Sequence, residues 1–145
     1  MKLTSAAFAQ GKSIPVKYAC SGLGINPPLM IADQPLGTKS LALVVDDPDA
    51  PSGTFVHWLV WNIHSGTKEI KEGARNIGPE GVTDARRIGY TPPCPPPGPP
   101  HTYRFKIFAL GAILDLKAGA NRAQLEKAMQ GHILAQAELD GEFGR

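Results

Sequence analysis

The chain has 145 residues, with 15 Lys and Arg against 13 Asp and Glu and a formal net charge of +2. That length suits one ordinary core, read here as a single domain over 1–145, and the balanced charge without a basic cluster excludes the electrostatic footprint of a nucleic-acid binder. No segment reaches the roughly 18 apolar residues needed to cross a bilayer, and "MKLTSAAFAQGKSIP" has no apolar run of signal-peptide length, so the chain is expected in the cytoplasm with at most peripheral membrane contact.

Sixteen glycines and 14 prolines punctuate short β-branched and aromatic segments, which favours a mostly β chain. Cys20 is the first of only two cysteines; with Cys94 it cannot complete a four-ligand zinc site and matches no secreted disulfide framework, so two reduced thiols are expected. "SLALVV" (40–45) and "FVHWLVWNI" (55–63) are apolar at successive positions and predict central strands covered on both faces. Between them, "DDPDAPSGT" places Asp47 and Asp49 where a buried strand leaves the core, with Pro48 and Pro51 stiffening the loop. His57 falls in the second strand, in step with Phe55, Leu59 and Trp61, and on such an apolar face it needs a partner, for which a neighbouring aspartate is the obvious choice.

The run "TPPCPPPGPPHTYRFKIFAL" then changes from proline to an alternating strand in which Tyr103, Phe105, Ile107 and Ala109 share one face and Arg104 and Lys106 the other. His101 and Tyr103, two apart, leave the same face and can enter one cavity, while the prolines form a stiff wall that turns at Gly98. A helix is predicted from an N-cap at Asn121 with Gln124 three residues on and Leu125, Ala128, Met129 and Ile133 along one stripe, weakened by Gly131. "AQAELDGEF" (135–143) reads as a last strand. Two histidines, a phenol and two aspartates suit a small anion pocket in which the carboxylates orient and charge the imidazoles.

The segments "SIPVKYACSGLGINPPL", "GTKSLALVVDDPDAPSGTFVHWLVWNI", "GYTPPCPPPGPPHTY" and "LEKAMQGHILAQAELDGEF", in that order, resemble the phosphatidylethanolamine-binding protein family and its bacterial and archaeal Raf-kinase-inhibitor-like branch over nearly the whole chain. The resemblance implies an antiparallel β-sandwich, a large sheet on a smaller one, with one or two short helices. It also implies an anion cavity lined at Asp47, Asp49, Pro51, His57, Pro93, His101 and Tyr103, no cofactor, and a cis bond at Ala50–Pro51. Implied partners are a small phosphorylated ligand, a phospholipid head group or a phosphopeptide, with a protein kinase or serine protease as a regulated target and a homodimer as the assembly. Pro92 stands where the family has a glycine, which removes one N–H donor, and Thr102 stands where it has an arginine, which is expected to alter a surface salt bridge. The chain ends at Arg145 without the C-terminal helix of animal relatives, and Arg86 and Arg87 lie in a lead-in that differs from the usual one.

Two other function classes use the same residues. A hydrolase would need Ser52 or Cys94 as nucleophile and His57 or His101 as base, but no nucleophile elbow is present and prolines around Cys94 supply no N–H for an oxyanion hole. A metal protein would use Asp47, Asp49, His57 and His101, whose carboxylate and imidazole groups suit divalent ions.

Overall fold

The computed structural model describes residues 1–145. In chain order the elements are β1 (Lys2–Thr4), β2 (Lys12–Ser13), a 3-10 turn (Val16–Tyr18), β3 (Leu29–Ala32), β4 (Ser40–Asp47), β5 (Phe55–His64), β6 (Glu69–Ile70), β7 (His101–Leu110), α1 (Arg122–Met129) and β8 (Ile133–Phe143). They form a three-stranded sheet ordered β1-β3-β6 and a five-stranded sheet ordered β2-β8-β7-β4-β5. All pairs are antiparallel except β2 with β8, where Lys12 and Ser13 run parallel to Gly141 and Glu142.

The apolar run of β4 explains the layering. All eight of its residues are buried, because it hydrogen-bonds to β5 and β7 and is covered on both faces. Leu41, Leu43 and Val45 point toward the small sheet and pack in one cluster with Leu3, Leu29, Ile31 and Ile70. Ala42 and Val44 point the other way, into a second cluster with Leu114, Leu125 and Met129. Each large apolar side chain buried in this way stabilises the fold by about 1.5–3 kcal/mol relative to exposure. Although its sequence predicts a central strand, β5 is last in the sheet order; its outer edge is nonetheless taken, since Val56, Leu59 and His57 carbonyls accept from Asp84, Gly81 and Thr91 and Trp61 donates to Pro79.

The expected helix forms at the expected cap. Asn121 accepts from the Gln124 N–H at 2.9 Å while the Gln124 side chain accepts from the Asn121 N–H at 2.9 Å, so two otherwise orphaned donors are satisfied. Leu125 and Met129 are its buried stripe, but Ile133 is not part of it. Gly131, at φ 82°, turns the chain after Gln130, and Ile133 opens β8 opposite Leu110.

Strand alternation sends the two adjacent aspartates of β4 to opposite faces. Asp46, fully buried, meets Arg104 in a bidentate pair at 2.7 and 2.9 Å, Arg122 at 2.8 Å and Lys106 at 3.4 Å. Burial alone would raise its carboxyl, but the Arg104 hydrogen bonds, with Lys106 and Arg122, outweigh that and hold it below the usual carboxylate range. The cluster ties α1 to β4 and β7. Asp46→Ala should therefore lower unfolding free energy by about 3 kcal/mol, the low end for a broken buried pair because the cations left behind are partly solvated. Urea titration checks this, and a loss below about 1 kcal/mol would contradict it.

Candidate functional site

Asp47 continues the face of Val45, and at the end of β4 that face opens into a cavity of about 340 Å³. Its Oδ2 lies 2.6 Å from Nδ1 of His101, the first residue of β7, and both side chains are nearly buried. Its Oδ1 accepts from the Asp49 N–H at 2.8 Å. Asp49 in turn accepts from the Thr102 N–H at 2.9 Å, which pins the loop to the start of β7. Asp49 thus holds the frame from outside the cavity lining, and at Thr102 it is the backbone, not the side chain, that makes the contact.

His57 is placed by an irregularity that periodicity cannot reveal. Val45 lies opposite Trp58 while Asp46 lies opposite Val56, so His57 is an extra residue in β5, a β-bulge. Simple alternation would set it in step with Leu59 and Trp61, which pack in the helix-side core. The bulge instead brings it beside Phe55 and Tyr103, with ring centroids at 4.8 and 5.2 Å. Its partner is not an aspartate: Nδ1–H donates to the Thr91 carbonyl at 2.7 Å, since a carbonyl can only accept. Burial pushes the His57 imidazole below its ordinary pKa, against the opposing pull of the Thr91 bond and of Asp47. The expectation that the carboxylates charge both histidines therefore fails for His57, which is held neutral with Nδ1 protonated. Each histidine spends Nδ1 on the protein, and Nε2 is what it offers the cavity.

Tyr103 lies below them, its ring 6.4 Å from His101 and stacked at 22°. Burial, and then the Asp47 charge, push its phenol far above the usual range, so it remains an O–H donor. Pro92, Pro95 and Pro96 form the facing wall. Pro93 points away from the cavity, and its carbonyl accepts from the Cys20 N–H at 3.0 Å. Cys20 and Cys94 are joined in a disulfide, which corrects the expectation of two free thiols. Residues 74 apart in sequence meet because the Cys20 segment is held against the proline run, with the Tyr90 hydroxyl donating to the Tyr18 carbonyl at 3.0 Å. A lasting disulfide is the habit of oxidising compartments, so the thiols lend no weight to a cytoplasmic location.

Ala50–Pro51 is trans, as are all peptide bonds of the chain, so the expected cis proline is overturned. The turn closes without it: the Gly53 N–H donates to the Ala50 carbonyl at 3.1 Å, with Pro51 next after Ala50 and Gly53 at φ 105°. Pro51 still lines the cavity.

Asp47, Pro51, His57, His101 and Tyr103 are thus brought together, while Asp49 and Pro93 stand behind them. Sequence reasoning missed Ala50, Phe55, Ala85 and Thr91. Thr91 carried no local signal, since what it supplies is a main-chain carbonyl. Arg86 and Arg87 are exposed and outside the lining. Cys94, bonded to Cys20, has no thiolate to attack with, and Ser52 sits on an exposed turn outside the cavity. No group of three or more His, Cys, Asp or Glu side chains converges as metal ligands. A larger hollow of about 660 Å³ lies on the other face of the sheet, between α1 and β7–β8, but there Arg122 already pairs with Asp46 and Glu126, and Lys106 with Asp46. Convergent unspent groups mark the smaller cavity as the candidate site.

The model of the phosphatidylethanolamine-binding protein family matches residues 4–144. The chain belongs to that family. It is 46% identical over 148 residues to a UPF0098 protein of Chlamydia muridarum, covering 99% of this chain and 98% of the relative, and 48% identical over 150 residues to UPF0098 protein PH1269 of Pyrococcus horikoshii, covering 97% and 75%. Among solved structures it superposes on the family homologue CT736 of Chlamydia trachomatis with a TM-score of 0.96 at 44% identity, covering 99% and 97% of the two chains. It superposes on YbcL of E. coli, described as a member of the mammalian PEBP family, with a TM-score of 0.91 at 27% identity, covering 99% and 98%. The mostly β, two-sheet architecture is that of the family. No helix is long and apolar enough to cross a membrane.

A neutral buried His57 has a consequence for stability. Below the reference pKa of about 6.5 the unfolded chain takes up a proton that folded His57 refuses, so its contribution is fully present above that pH and lost as pH falls. The stability difference between the native protein and His57→Gln should narrow from pH 7.5 to pH 5 in urea titrations. A difference independent of pH would mean that His57 titrates as a solvent-exposed imidazole does.

Proposed function

We propose that this protein is a non-enzymatic binder of phosphoryl groups, in which His57, His101 and Tyr103 hold the oxygens, Asp47 orients His101, and Asp49, Pro51 and Pro93 keep the frame. The observation that carries this reading is the division of labour between the imidazoles. His101, with the Asp47 carboxylate 2.6 Å from Nδ1, offers an Nε2–H donor when protonated, and Tyr103 offers an O–H. His57, neutral and protonated at Nδ1, offers a lone pair at Nε2. Two donors and one acceptor complement a phosphomonoester that still carries one proton: its P–OH donates to His57 while its charged oxygens accept from His101 and Tyr103. The non-enzymatic reading is supported by Cys94 being held in a disulfide and by Ser52 lying outside the cavity, which leaves neither of them as a nucleophile beside these groups. A phosphopeptide carrying such a group fits the same chemistry, and through it regulation of a protein kinase or serine protease.

The sign of the pH dependence follows. The second ionisation of a phosphomonoester lies near pH 6. Above it the ligand has no proton for His57, and a lone pair then faces an anionic oxygen. Calorimetric affinity for O-phosphoethanolamine should fall about tenfold from pH 5.5 to pH 7.5, the cost of one charge-assisted hydrogen bond. Glycerophosphoethanolamine, a diester whose phosphate has no ionisation near pH 6 and no proton for His57, should lose less affinity over the same interval, so that the difference between the two profiles reports the proton donated to His57. Tyr103→Phe should weaken both ligands by about 0.5–1.5 kcal/mol without altering either profile. Absence of binding by both ligands would remove the reading, and a monoester profile no steeper than the diester's would remove the assigned role of His57.

A further inference from the structure

Of the nine residues from 92 to 100, seven are proline, so only Cys94 and Gly98 carry a backbone N–H. The cavity wall therefore cannot be held by a ladder of its own donors, as the strands around it are. It is held from outside at two places. At one end Cys94 is bonded to Cys20, whose N–H also donates to the Pro93 carbonyl at 3.0 Å, and Gly24 of the same segment sits against Pro92. At the other end the Arg145 side chain donates to the Pro95 carbonyl at 2.8 Å, and its carbonyl accepts from Gly98 at 3.3 Å. Cys94 also lines the cavity, beside Pro92, Pro95 and Pro96. Both cysteine residues are exposed, so a small thiol can reach the bond.

We propose that the Cys20–Cys94 disulfide is a redox-operated fastener of the binding cavity, closed and ligand-competent when oxidised and open when reduced by a dithiol. In the first step a thiolate of the dithiol attacks one cysteine sulfur; the S–S bond breaks, a mixed disulfide forms and the other cysteine leaves as a thiolate that takes a proton. In the second step the remaining thiol of the reductant attacks the mixed disulfide and releases the first cysteine. The protein gains two electrons and two protons, and the dithiol becomes a disulfide. The wall then keeps non-covalent ties alone, the Arg145 contacts, the Cys20 N–H bond and the packing of its buried prolines, each free to open without the crosslink. Thr91, next in chain to Pro92, keeps its own N–H bond to the His57 carbonyl at 2.8 Å and its hydroxyl contact with Thr83 at 2.8 Å, so it is the stretch beyond it, Pro92 to Pro96, that loosens. Reduction thus acts on the shape of the cavity, while Thr91 and His57 hold each other and β4 and β7 keep their ladders.

The affinity arm of the test rests on the phosphoryl-binding reading, whereas the exchange arm does not. Hydrogen exchange read by mass spectrometry compares oxidised protein, protein treated with dithiothreitol until two thiols are counted, and the double variant Cys20→Ser/Cys94→Ser. Amides of Cys20 and Gly98, whose hydrogen bonds tie the wall to its neighbours, should exchange at least tenfold faster in the reduced protein and the variant, with those of Thr91, β4 and β7 unchanged. The dissociation constant for O-phosphoethanolamine should rise about tenfold on reduction, as it does when the competent wall is populated about a tenth of the time. The variant should match the reduced protein and ignore dithiothreitol. Exchange that is identical in the two redox states would overturn the proposal. So would acceleration throughout the sheets, since the bond would then be a fastener of the whole fold. Local acceleration with no binding of O-phosphoethanolamine in either state would uphold the fastener and remove the phosphoryl-binding reading instead.

Discussion

Two carboxylates follow one another at the end of β4, and the pleat of the strand sends them to opposite faces of the large sheet. Neither can be left alone in a buried strand, because an unpaired buried charge costs several kcal/mol. Asp46 answers with three cations, and in doing so fastens the helix to the sheet. Asp47 answers with one histidine and a backbone N–H, and its charge is shared with the cavity. The structural and the candidate functional halves of the molecule are thus set by adjacent residues whose only difference is the face they occupy.

The cavity is rigid for reasons that differ from wall to wall. On the sheet side, Asp47, His101 and Tyr103 stand on paired strands whose register is set by the core beneath them. The bulge at His57 adds one residue to β5 and moves an imidazole from the helix-side core to the cavity. On the loop side there are few donors to pair, and stiffness comes from proline rings and a covalent bond. A site assembled this way is organised before a ligand arrives, so less ordering entropy opposes binding.

Much of this was legible from the amino acids. The strands around Leu43, Leu59 and Phe105 follow from runs of apolar and alternating residues, and the Asn121–Gln124 cap follows from a two-residue pattern that the structure reproduces. The pairing of His101 with Tyr103 on one face needed only the period of a strand. What was not legible is whatever depends on a single added residue or on distant partners. Nothing local in "FVHWLVWNI" announces a bulge, so His57 read as facing Leu59 and Trp61. Its partner is a main-chain carbonyl, and every residue has one, so composition could not single out Thr91. Cys20 and Cys94 lie 74 residues apart, and only the folded chain shows that they meet. At Pro51 the turn reaches its shape with a trans bond and a glycine at positive φ, where likeness to the family had suggested a cis bond.

The account turns on His57 being a neutral acceptor, because that assignment decides which phosphoryl species the cavity complements. Nitrogen-15 chemical shifts of the four imidazoles, recorded through their two-bond couplings to ring protons at pH 7, read the tautomer directly. The account predicts that His57 is neutral, with a protonated Nδ1 and an unprotonated Nε2. A His57 ring protonated at both nitrogens, or one carrying its proton on Nε2, would contradict it.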